Sequence, residues 1–256
     1  PAVAGTFYPA SPGELTRMLE GLFGTQVSAS GDQPLALIVP HAGYIYSGKV
    51  AASGYRQLPR DSHFERIFLI GSSHTMYFNG AAVYTGGDFI TPLGKVRVDP
   101  LASELVKQQK LFSSDPAPHL KEHSLEVQLP FLQYWLNNGF TIVPIILGGE
   151  DKETFKKIAT TLEPYFNGQN LFVISTDFSH YPEYSAAAAC DRETADAILA
   201  NAPETFLKTR NAVESRGTDN LVTAICGWSS IYTLLNITGK RADLEFRKIL
   251  YQNSGD

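Results

Sequence analysis

Apolar residues fall along this chain in two rhythms. Short unbroken aliphatic runs occur at Leu35-Ala36-Leu37-Ile38-Val39, Ile67-Phe68-Leu69-Ile70, residues 141–147 and Leu171-Phe172-Val173-Ile174. Runs of this length and branching predict strands buried on both faces, as in a sheet covered by helices. A shorter strand is expected over 81–84, and alternation over 242–251 predicts a last, edge strand. Helical spacing falls between the runs, over 101–109, 122–137, 151–166, 184–200 and 220–235, with a short helix over 49–58. Leu125, Leu129, Leu132 and Leu136 give the second of these one apolar face, and Pro130 is expected to kink or split it. Ser11-Pro12-Gly13-Glu14 reads as a capping box opening a helix to about Phe23. Residues 24–34, rich in Gly and Ser, read as a surface loop, and Thr91-Pro92-Leu93-Gly94 as a turn. Strands and helices alternate with neither repeat nor linker. The expected architecture is therefore α/β: a single domain over 1–256 with a central, largely parallel sheet flanked by helices.

Composition narrows the function classes. The chain has 256 residues, 43% of them hydrophobic, and a formal net charge of -5. Its Lys and Arg are scattered, so no surface is expected to track nucleic acid or an anionic membrane. No apolar stretch approaches the ~20 residues that span a bilayer, and no charged segment followed by an apolar one suggests a secretory leader. Cys190 and Cys226 stand in different segments and read as free thiols of a cytoplasmic protein.

Three of the apolar runs end on chemistry. The first stops at Pro40-His41-Ala42-Gly43-Tyr44, the second at Gly71-Ser72-Ser73-His74, the last at Ser175-Thr176-Asp177-Phe178-Ser179-His180. Ligand crevices of open α/β sheets lie outside the carboxyl ends of the strands, where these side chains would gather. Each His has a plainer reading, a ring bonded to a carbonyl to finish a strand; two placed alike favour a shared site. Asp177 is spaced to orient His180 as a proton-transfer residue, or to cap the following segment. Ser73 lacks the elbow of a serine hydrolase. His123, in a predicted first helical turn where the dipole disfavours it, reads as site lining or as a loop residue. Cys226 is either a small core residue or a soft metal ligand. Cys190 reads as packing, and His63 and His119 as surface residues.

Together with Ala4-Gly5-Thr6-Phe7-Tyr8-Pro9, Glu122-His123-Ser124-Leu125-Glu126 and Ile225-Cys226-Gly227, these segments resemble the Memo family, whose bacterial members are called AmmeMemoRadiSam system protein B. The motifs run in the family's order over nearly the whole chain. Members continue past their last strand with a tail containing Gly, Tyr and Ala, whereas this chain stops at Gly255-Asp256. The family is similar in fold to the LigB-type class III extradiol dioxygenases, which cleave catechols with iron(II) held by two His and a carboxylate. The resemblance implies His41 and His74 as metal ligands, His180 as acid/base and His123 beside the oxygen position. It places Cys226 where the dioxygenases carry Glu, as the third ligand. Thiolate for carboxylate softens the site, so copper or zinc stands as an alternative to the iron(II) expected.

The implied reaction is an oxygen-dependent oxidation of a dihydroxy aromatic or another chelating small molecule. Fold kinship does not transfer a reaction. Two other classes therefore stand beside it: a non-catalytic scaffold binding metal or a peptide, as animal members suggest, and a hydrolase with a metal-activated water. The bacterial name implies radical-SAM and AMMECR-type protein partners.

Overall fold

A computed structural model of the chain describes residues 1–24, 31, 33–108 and 110–256. Part of the predicted loop over 24–34, and the last residue of the helix expected to reach Gln109, lie outside these residues. The described residues form an eight-stranded sheet. Its central path begins with β1 (Ala36–Val39), then β8 (Asn170–Ser175), β2 (Arg66–Ser72) and β7 (Thr141–Gly148), all parallel, and continues to β3 (Gly80–Val83) and β6 (Phe112–Ser113). The β3–β7 pairing is antiparallel, and a hairpin of β4 (Phe89–Thr91) and β5 (Gly94–Val98), turning at the expected 91–94, joins β7 through β5.

Strand alternation sorts the apolar residues onto two faces. Phe68, Ile70, Val143, Ile145, Phe172 and Ile174 pack with α3 (Leu101–Gln108), α5 (Lys152–Leu162), α6 (Tyr184–Leu199), α7 (Pro203–Ser215) and α8 (Trp228–Thr238). Ile67, Leu69, Ile142, Ile146, Leu171 and Val173 pack with α1 (Pro12–Phe23), α2 (Tyr44–Tyr55) and α4 (Leu129–Trp135). Burial on both sides is why these strands read as continuous apolar runs. Pro144 sits inside β7 without breaking a ladder. Its carbonyl accepts from Tyr84 N–H, so its nitrogen faces the same side, at the point where β5 gives way to β3.

Several predicted elements differ. The helix expected over 122–137 is a 3-10 turn at Glu126–Gln128 followed by α4, with Pro130 in the first turn of α4, where its missing N–H costs nothing. Residues 122–125 are thereby free of a helix. The helix expected from 220 starts at Trp228, because the Cys226 and Gly227 N–H groups bond to Asp177 O and Thr176 Oγ1 instead of to a helical turn. Residues 242–251, all described, form no strand. Their alternation instead lays Leu244 and Phe246 on the core while Glu245 and Arg247 face solvent. The N-cap Ser11 makes no side-chain cap, and α2 begins five residues before the expected 49. The β4–β5 strands and α7 were not legible in the pattern. Among the described residues no helix is long and apolar enough to cross a membrane.

Candidate metal centre

Three parallel neighbours, β1, β8 and β2, end along one edge of the sheet. Two residues beyond each strand stand His41, Asp177 and His74. Cys226 comes to the same place from the segment that enters α8. Its backbone N–H donates to Asp177 O at 3.2 Å, and Gly227 N–H donates to Thr176 Oγ1 at 2.8 Å. The approach is close enough to require glycine, since a Cβ on Gly227 would stand 2.5 Å from the Thr176 side chain. Gly227→Ala is expected to push Cys226 off β8, costing about 1–3 kcal/mol of stability and a large share of bound metal. Thermal melts and elemental analysis check both.

The His41, His74 and Cys226 donor atoms all lie within 4.8 Å of one another, and Cys226 Sγ is 3.2 Å from His41 Nε2. Sulfur and nitrogen ligands on one ion stand roughly 3.5 Å apart, given metal–sulfur and metal–nitrogen bonds of ~2.3 and ~2.0 Å. The spacing therefore suits a single ion. His74, Glu122 and His123 form a second cluster of comparable size. Its carboxylate is already committed, as follows.

Both candidate ligand rings are oriented from behind. The single hydroxyl proton of Ser175 donates to Ser124 O at 2.5 Å, and Gln128 Nε2 donates to Ser175 Oγ at 2.9 Å. Ser175 Oγ therefore accepts from His41 Nδ1, 3.0 Å away, which turns His41 Nε2 toward Cys226. Gln128 is itself fixed by Tyr55 O–H, which donates to its Oε1, and by its own bond to Pro40 O. His74 has an anionic counterpart. Glu122 Oε1 accepts from His74 Nδ1 at 3.0 Å and from Ser124 N–H at 3.0 Å, and Glu122 Oε2 accepts from His74 N–H at 2.7 Å. A carboxylate behind a histidine fixes its tautomer and strengthens it as a ligand.

Charges in the cluster compensate one another. Burial raises the Cys226 thiol pKa, but His41, His180 and His74 outweigh it and hold the thiol well below its ordinary value. Burial lowers His41, and the Cys226 sulfur and Asp177 carboxylate more than reverse this. Burial likewise lowers His74, but bonds to Cys226 and Glu122 lift it to about 10. Glu122, which burial would raise, is brought down to about 2 by His74. Burial and the His41 charge take His123 down to about 4, so that ring stays neutral.

The remaining predicted residues gather here too. The His123 ring lies 5.1 Å from that of His41 and 4.8 Å from that of His74, with the Phe7 ring tilted against it at 4.7 Å. His180 lies near enough to Cys226 for the sulfur to raise its pKa, and its Nε2 is buried with no hydrogen-bond partner among the described residues. Asp177 Oδ1 accepts from His41 N–H at 2.7 Å, and its Oδ2 lies 3.8 Å from His41 Nε2. That side-chain bond goes to the His41 backbone, while the Asp177 charge also helps to raise the His180 pKa. His63 is exposed, as expected. His119 is half-buried rather than fully on the surface: its Nε2 sits 3.1 Å from Ala82 O, and burial drops its pKa to about 4.

Glu122, Ser175 and Gln128 escaped the sequence reading. The Glu122–His123 adjacency was the one available hint.

Residues 1–256 match the model of a family described as Memo-like protein. A MEMO1 family protein of Thermoplasma volcanium is 36% identical over 261 residues, covering 100% of this chain and 91% of that protein. MEMO1 family proteins of Aeropyrum pernix and Aquifex aeolicus are each 36% identical, over 269 and 259 residues, covering 100% of this chain and 92% of each relative. The solved structure of the uncharacterized protein JW3007 of Escherichia coli K12 shares 16% identity, over 72% of this chain and 78% of that one, at a TM-score of 0.46. A family match over all 256 residues, with relatives alike along the full chain, places the protein in the Memo-like family.

Proposed function

We propose that this chain holds one metal ion through His41, His74 and Cys226 and oxidises a chelating small molecule, a dihydroxy aromatic foremost. The observation that carries the reading is the convergence of two imidazoles and a sulfur whose rear bonds already face protein partners. Iron(II) is the ion proposed, with copper or zinc as competitors for the thiolate. Bound iron would supply a redox-active Lewis acid with positions open to substrate and oxygen. The chain's own residues do the rest. His180, whose buried Nε2 has no hydrogen-bond partner among the described residues and whose ring borders the Cys226 sulfur, would exchange a proton with a substrate hydroxyl. His123, uncharged and covered by Phe7, offers a neutral wall beside the ligands. Asp177 holds the His41 backbone.

Protein purified without oxygen and loaded with iron(II) is expected to consume oxygen with at least one member of a catechol panel. His180→Ala should keep its iron and lose roughly 100-fold or more of that rate. Absence of uptake across the panel would argue for the rival below. Ion binding is also expected to release protons, since a ligating His74 surrenders one held with a pKa of about 10. Calorimetry of zinc addition near pH 7, in buffers of different ionisation heat, should count roughly one to two protons per ion.

A second reading has its own support. Ile45, Tyr46, Tyr77, Tyr181 and Val222 are exposed by 74%, 65%, 75%, 75% and 71%, and all sit in segments adjoining the site residues. Such an apolar rim suits a protein partner, as a metal- or peptide-binding scaffold requires. Under this reading Tyr46→Ser and Tyr181→Ser abolish binding to a radical-SAM or AMMECR-type partner, measured by co-purification, with metal content unchanged.

A further inference from the structure

Asp191, in α6, is a carboxylate with 4% exposure that divides its oxygens between two remote parts of the chain. Oδ1 accepts from Ser179 N–H at 2.9 Å, and Oδ2 accepts from Tyr251 O–H at 2.7 Å. Ser179 immediately precedes His180, whose ring has no partner at Nε2. That ring borders the Cys226 sulfur and the Tyr181 ring, and the backbone on either side of it sets where it stands. His180 N–H donates to Thr223 O at 3.1 Å and Val222 N–H donates to His180 O at 3.2 Å, which ties the loop to the segment leading into Cys226. On the other side Tyr181 takes up a φ of 72°, unusual for a bulky residue. The Asp191 bond to Ser179 is a further anchor, and it depends on the carboxylate keeping its place.

Tyr251 supplies the second hydrogen bond to that carboxylate. It ends a segment, 242–251, that has no backbone ladder and overlies a groove of about 790 Å³ lined by Leu35, Ile38, Phe178, Ala188 and Ile198. A buried carboxylate deprived of one of two donors turns to find another, and Ser179 N–H moves with it.

We infer that Asp191 and Tyr251 are positioning residues for His180, joining residues 242–251 to the metal centre through the sequence Tyr251 O–H, Asp191 carboxylate, Ser179 N–H. The inference rests on the reading of His180 as the group facing bound ligand, and two measurements separate its fate from that reading. In metal-free protein, ring-nitrogen NMR of Tyr251→Phe should show the His180 signals shifted and those of exposed His63 unmoved. Asp191→Asn should act likewise; Tyr251→Phe, which removes one oxygen, serves if that variant folds poorly. In cobalt(II)-loaded protein, azide at the open position should bind about tenfold more weakly to Tyr251→Phe, the loss of one hydrogen bond to a charged partner. The same loss is expected in His180→Ala, with no further loss in the double variant, while cobalt content stays equal throughout. Unmoved His180 signals, or losses that multiply in full in the double variant, would overturn the inference. If the wild type takes up no cobalt, the metal reading falls and the NMR comparison decides this inference alone.

Discussion

Cys226→Ala protein, reconstituted with iron(II) without oxygen beside the wild type, is expected to bind the ion at least about 100-fold more weakly. Changes behind a ligand already cost 10- to 100-fold, and this substitution removes a ligand atom outright. It also takes away the anion that holds His41 and His74 above their ordinary pKa; their deprotonation becomes easier, but two neutral imidazoles are left with no anionic third ligand for a divalent ion. The competing account is that Cys226 fills space at the entrance to α8. Cys190 supplies the control, being 2% exposed and packed with Val213 and Ala224. Cys190→Ala is expected to lower the melting temperature by roughly the cost of a small core cavity, about 1 kcal/mol, and to keep its metal. Equal metal content in both variants would leave Cys226 as packing and remove the centre. Iodoacetamide offers a second readout: metal should shield Cys226 in the wild type, while chelation exposes a thiol held well below its ordinary pKa.

The sequence revealed what depends on burial of whole strands and hid what depends on single polar partners. β1, β2, β7 and β8 are covered on both faces, so each shows as an apolar run, and the residues just beyond three of them became site candidates. Their parallel adjacency then brings His41, His74 and Asp177 to one edge. Short elements without a buried core of their own left no such trace, as with β4 and β5. The alternation over 242–251 predicts a ladder but records only which side faces the core. Glu122 looked like an ordinary helical glutamate, because its partners, 48 residues away at His74, exist only after β2 and the loop over 122–125 have met. Ser175 and Gln128 are likewise neutral residues whose roles are set by the direction of one hydroxyl proton. Cys226 gained its reading from family resemblance, and geometry adds what periodicity could not: it lies before α8, not within it.

The strongest effect on the metal-free fold is expected at Glu122. Its side chain is 1% exposed and takes three donors, His74 N–H, His74 Nδ1 and Ser124 N–H. Glu122→Gln keeps the shape but turns an amide N–H₂ toward at least one of those donors. The result is a buried donor facing a donor and a histidine stripped of its counter-ion, a loss of about 3 kcal/mol. Metal affinity should fall a further 10- to 100-fold because His74 is no longer oriented. The pH dependence identifies the cause. Glu122, lowered to about 2, stabilises the fold above its unfolded pKa and loses that contribution as pH falls toward 2. His74, raised to about 10, contributes fully below its unfolded value near 6.5 and loses that contribution as pH rises through 10. The His74 contribution in chelated wild-type protein should therefore fade between about 6.5 and 10, and Glu122→Gln should reduce that part of the pH dependence relative to wild type. Metal reverses the alkaline trend, because an ion competes with the His74 proton and binds more tightly as pH rises. Melting curves of chelated and loaded protein across this range, for wild type and Glu122→Gln, measure both slopes. Parallel curves for the two proteins would mean that the carboxylate does not govern His74.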